Sequence, residues 1–229
     1  MHSNSIATRR AATRRPRLPA PRQERSRATR DRILGALARL LDGKTFDQIS
    51  VAELTAAAPC SMSSFYARFP TKAALFSAFL DRFFEFSAER VGAAFSGIAS
   101  GDAKAGHRAR LLIEFMLQSY RGSRGLLRSL VLHDRTHPDA GFGTRTRAYK
   151  RQVATAALAL LLDGDARVAY PDRVASARFG LWLVVQAIEQ IVLFNDTMMG
   201  RGQMPERQLV KELTSVLLRT IERPPKART

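Results

Sequence analysis

Between Ser61 and Lys72 the chain reads SMSSFYARFPTK, a stretch crowded with groups that donate hydrogen bonds to phosphates or base edges. The hydroxyls of Ser61, Ser63, Ser64 and Thr71, the Tyr66 phenol, the Arg68 guanidinium and the Lys72 ammonium all fall inside it. None has a neighbouring base at the spacing nucleophilic catalysis requires, so the chemistry they suit is recognition. Serines read bases weakly, Met62 offers an apolar contact to a thymine methyl, and Arg68 is the side chain suited to a bidentate contact. Arg68 nevertheless lies late in its helix, where a phosphate is an equal target. Thr71 and Lys72 open a further helix, where free amides and the positive helix end attract anions. Ser50 stands at the start of an earlier helix and suits the same task, although capping alone explains its presence.

The elements that must hold these groups are short helices. Helix one runs from about Arg25 to Leu41, with Ile33, Leu34, Leu37, Ala38 and Leu41 on one face and Asp42-Gly43 as its end. Phe46 and Ile49 plug a small core from the connector. Ser50 and Glu53 then have the spacing of a capping box for a second helix. Ala58-Pro59-Cys60-Ser61 breaks that helix, because proline lacks an amide hydrogen and disfavours helical geometry in the residue before it. A third helix, about Met62 to Arg68, hangs on Phe65 and Phe69. Pro70 interrupts it and Thr71 caps a fourth, whose stripe of Leu75, Phe76, Phe79, Leu80 and Phe83 carries it towards Phe95. Two short helices set at an angle are what a helix-turn-helix DNA reader needs.

Thr45 to Phe76, with the helix-turn-helix ending in Ser61, then Phe65-Tyr66, Phe69-Pro70-Thr71-Lys72 and Ala74-Leu75, resembles the signature of the TetR family of bacterial repressors. Pro59 departs from it, since the family usually has glycine in the turn, and Cys60 replaces a small aliphatic residue. The resemblance implies that Tyr66 and Lys72 touch phosphate. It also implies that helices four to eight enclose a small-molecule pocket, for which Phe115, Met116, Tyr120, Phe179 and Trp182 are wall candidates. Ligand binding would then change the separation of two reading heads in a homodimer.

Composition agrees with a nucleic-acid partner. The net charge is +17 over 229 residues, with 45% hydrophobic content, so a polyanion is favoured and wholesale disorder is not. Residues 1–32 hold ten arginines against Glu24 and Asp31. Residues 1–23 read as a disordered basic arm. Such an arm serves either as a minor-groove reader or as a non-specific tether. No secretory signal is evident, and one cysteine fits a reducing cytoplasm. The most apolar region, Phe179 to Phe194, is interrupted by Gln186, Glu189 and Gln190, which argues against a membrane span.

The rest predicts an all-α fold: a loop over 97–106, helices over 108–120, 124–134, 144–162, 171–199 and 205–222, and a tail from 223. The domain reading is a head over 24–70 and a regulatory and dimerisation body over 71–222. The 171–199 helix is apolar around most of its circumference and must be covered on more than one side. The monomer's own core or the same helices of a second subunit would do this. His133 and His137 stand four apart without further ligands and read as a helix end, not a metal site. Cys60 reads as a small filler. No enzyme activity and no cofactor are expected. The favoured function is an effector-released repressor on a palindromic operator; the alternative is a constitutive architectural nucleic-acid binder.

Overall fold

A computed structural model describes residues 22–101, 104–136, 142–162, 171–194 and 204–221. The chain expected as a basic arm lies outside them except for Arg22 and Gln23, which belong to the first helix. His137, residues 195–199 of the penultimate predicted helix and the tail also lie outside. Among the described residues there are nine α-helices and no strand. They are α1 (Arg22–Leu41), α2 (Val51–Ala57), α3 (Met62–Tyr66), α4 (Lys72–Ser100), α5 (Ala105–Gly122), α6 (Arg124–Thr136), α7 (Phe142–Leu162), α8 (Pro171–Ile188) and α9 (Glu206–Ile221).

Two apolar cores organise them. The smaller is built from α1 to α3 and the first turns of α4. Ile33, Leu37, Leu54, Phe65, Leu75, Phe76 and Leu80 are fully buried in it, with Phe46 stacked on Phe76 at 4.0 Å between centroids. Leu126 and Leu130 of α6 complete this core from outside the head. The larger core joins α4, α5, α7, α8 and α9. There Ala177, Leu181, Val184 and Ile188 of α8 face inward, and α8 packs along α9.

Several helices run longer than their sequence signals. Residues 97–100 were expected in a loop but continue α4, and α5 begins at Ala105. Gly97 does not end α4, because a helix joined to neighbours on one face tolerates one exposed glycine at a cost of about 1 kcal/mol. At the other extreme, α3 stops at Tyr66, so Arg68 lies past its end. The penultimate helix is also not uniform. After Ile188 it widens into a π-helical turn over Glu189–Leu193, with Phe194 beyond. By length and composition Arg173–Leu193 is apolar enough to cross a bilayer. Its inner face is instead committed to the bundle core.

Candidate nucleic-acid interface

Each short helix of the head is started by a side chain that satisfies a free amide. Ser50 Oγ accepts from Glu53 N at 3.1 Å, while the Glu53 carboxylate accepts from Ser50 N at 2.8 Å. Glu53 is also paired with Lys44, and that bond, followed by the Ser50 bonds, holds its carboxyl at about 2. Ser61 Oγ accepts from Ser64 N at 3.1 Å, and Thr71 Oγ1 from Ala74 N at 3.0 Å. The turn between α2 and α3 closes with Cys60 N donating to Thr55 O at 3.1 Å. Ala58 ends α2 there at φ −102° and is buried, and Pro59 follows it in the turn. Cys60 is half-buried at the edge of the head core.

Phe65 points inward from α3, and Ser61, Met62, Ser63 and Tyr66 point outward. Met62 is 45% exposed and Tyr66 48%, which is unusual for large apolar or aromatic side chains on a head this small. Ser64 is half-buried. Arg68 turns back: its Nε donates to Ser26 O at 3.3 Å and its Nη1 to Ser64 O at 2.7 Å. The guanidinium that sequence reasoning offered for a bidentate base contact therefore ties α3 to α1. Lys72 is also folded inward. Its ammonium lies 4.5 Å from the Phe46 ring centroid and donates to Asp47 O at 3.3 Å, and burial there lowers its pKa. Ser50 and Thr71 remain exposed at their helix starts, and Arg25, Arg27, Arg30 and Arg32 add positive charge along α1.

An α-helical head with an outward face of Ser61, Met62, Ser63 and Tyr66 and flanking helix N-termini has the form of a helix-turn-helix. Residues 33–79 match the family model described as bacterial regulatory proteins, tetR family. The chain carries a TetR-family DNA-binding domain. It is accordingly a DNA-binding transcriptional regulator of the TetR type. No curated protein matches the chain. Two solved structures are similar over most of its length. One is a TetR transcription regulator from Haloarcula marismortui, with 17% identity, TM-score 0.61, and 84% of this chain and 96% of that one covered. The other is the fatty acid degradation regulator FadR from Bacillus halodurans, with 14% identity, TM-score 0.61, and 93% and 100% covered. At such identities the likeness establishes the shared fold, including the helical body.

Behind the TetR-type head, the body encloses a cavity of about 390 Å³ between α4, α5, α7 and α8, with α6 contributing to one wall. Phe115, Met116, Tyr120 and Trp182 line it. Phe179 does not: it stacks on Trp182 at 5.8 Å on the outside of α8, 56% exposed. The sequence reading did not single out Arg90, Tyr149, Lys150 or Arg178, which also line the cavity. Nor did it single out Glu189, which accepts from Tyr120 Oη at 3.1 Å and pairs with Lys150. An acid inside an otherwise apolar helical run was the one available signal for Glu189. Burial, then the Glu189 charge, pushes the Tyr120 phenol far up, and burial raises Tyr149, so both stay neutral.

His133, a metal candidate that the sequence argument set aside, is buried on α6. It shares a hydrogen bond with Asp47 at 3.1 Å and packs edge-on against Phe46 and Phe76. Together with Ser129, whose Oγ accepts from Phe46 N at 3.1 Å, it fastens the body to the head.

Proposed function

We propose that the chain is a homodimeric repressor that seats α3 in the major groove of a palindromic operator and is released by a small-molecule effector. The observation that carries this reading is the outward face of α3. Two large side chains, Met62 and Tyr66, stand in solvent beside the hydroxyls of Ser61 and Ser63, while Phe65 and Phe69 hold the helix from behind. In this reading Ser61, Met62, Ser63 and Ser64 meet base edges. Tyr66, Thr71, Lys72 and Ser50 meet phosphate. Lys72 exchanges its Phe46 and Asp47 contacts for a phosphate oxygen, a trade favoured by the lower cost of a paired ammonium over a half-buried one. Arg68 supports the geometry and does not read sequence. Residues 22–70 form the head, 71–222 the body, and 1–21 a tether that raises affinity on any duplex.

The partner surface is the outer face of α8 with α9. Val174, Phe179, Trp182 and Leu183 on α8 and Val216 on α9 are all exposed, and Phe179 stacks on Trp182, apolar surface of the kind two-fold pairing covers. The effector site is the cavity of the body, and the protein works in the cytoplasm. Selecting bound sequences from a random duplex pool at physiological salt tests the reading. A two-fold-symmetric consensus with half-sites about one helical turn, or a small multiple, apart is expected. Equal recovery of all sequences would favour the architectural alternative instead.

A further inference from the structure

The body cavity has a charge character as well as a shape. Its inner wall is apolar, with Phe84, Val91, Phe95, Phe115, Met116 and Leu181 among the lining residues. The charged side chains that line it are all cationic: Arg90, Lys150 and Arg178, with no Asp or Glu among the lining residues. All three are exposed, which places them where the cavity opens to water. Among the described residues Arg90 and Arg178 make no ion pair, and Lys150 is paired with Glu189, which lies just behind the wall. That carboxylate is already engaged by Tyr120 and Lys150.

We propose that this cavity takes an apolar monoanion, an acid group on a hydrocarbon or aromatic body, with the acid held at the mouth by Arg90, Arg178 and Lys150. The proposal rests on the effector-released reading above and specifies the chemistry of that effector. At about 390 Å³ the space lies at the small end of the range for ligand pockets, roughly 300–1,000 Å³. A monoanion with one compact apolar body therefore fits better than a large conjugate. Inward apolar burial supplies affinity, and the unpaired guanidiniums discriminate, since an acid meets charge-assisted donors that an alcohol of equal length cannot use as well. A cationic amphiphile faces repulsion at the mouth and finds Glu189 already neutralised.

Three probes of equal chain length separate these cases: decanoate, 1-decanol and decylamine, titrated calorimetrically into the full-length protein below their aggregation limits. Decanoate is expected to bind at least about tenfold tighter than decanol, the scale of one charge-assisted hydrogen bond, and decylamine weakest. The Arg90→Gln/Arg178→Gln variant is expected to lose most of that preference while keeping its decanol affinity. Lys150→Gln serves as a second variant. Decanol or decylamine binding as well as decanoate, a preference that survives both variants, or no binding of any probe would overturn the proposal. The unliganded protein is assayed in parallel on the selected operator. Specific DNA binding without an anion preference sinks only this proposal, whereas absence of specific DNA binding sinks the regulator reading beneath it.

Discussion

Arg68 shows how one side chain can look like a reader and act as a brace. Its two bonds to backbone carbonyls span α3 and α1, so Arg68→Ala should lower stability by about 1 kcal/mol. The consensus selected by the variant should match that of the parent. Calorimetric melting and a repeat selection check both halves, and a changed consensus with unchanged melting would return Arg68 to the reading face. Glu53 makes a prediction in pH. Its carboxyl is held at about 2 against an ordinary 4.5, chiefly by Lys44 and then by Ser50. A depressed acid stabilises the fold above its unfolded pKa and loses that contribution as pH falls through the folded value. Melting temperatures of the parent and Glu53→Gln should therefore differ by a steady amount above about pH 5 and converge as pH approaches about 2. The pair is exposed, so added salt should shrink the gap.

At the scale of elements, α6 is the joint between head and body. Gly125 lies so close to the end of α1 that a Cβ there would stand 2.6 Å from the Leu41 carbonyl carbon and closer still to its oxygen. Gly125→Ala should cost about 1–3 kcal/mol by forcing these backbones apart. Gly92 on α4 has nothing near its Cβ position, and Gly92→Ala should add about 0.5–1 kcal/mol by removing chain entropy from the unfolded state. Thermal denaturation of the two variants side by side reads both signs. The head was legible in sequence because its signals are local: Ser50, Ser61 and Thr71 each cap within three residues, and Pro59 stands directly after the end of α2, although α3 stops at Tyr66, before Pro70. The joint was not legible, because Ser129 meets Phe46 and His133 meets Asp47 across more than eighty residues, with no periodicity to announce it. The widening of α8 at Glu189 was hidden for a related reason. The polar residues Gln186, Glu189 and Gln190 break the apolar run without announcing a change of helical register, and the partners of Glu189, Tyr120 and Lys150, come from two other helices. Phe179 and Trp182 are three apart and read alike, yet Trp182 reaches the cavity and Phe179 faces outward.

For the whole molecule, a +17 chain is attracted to any duplex, so in the proposed dimer the pairing of two heads is what turns attraction into selection. Phe179 lies on the exposed face of α8 and outside the cavity, which makes it a clean probe of that pairing. Phe179→Asp should shift sedimentation from dimer to monomer and weaken operator binding by about 10²-fold or more, with little change in helix content. An unchanged dimer would place the partner surface elsewhere. The central claim, that the outward face of α3 and the start of α4 grip a duplex, is tested most directly by Tyr66→Phe/Lys72→Gln on the selected operator. Loss of two charge-assisted phosphate contacts in each head should weaken binding roughly 100-fold or more at physiological salt, with melting close to the parent's. A double variant that holds the operator as tightly as the parent would contradict the account.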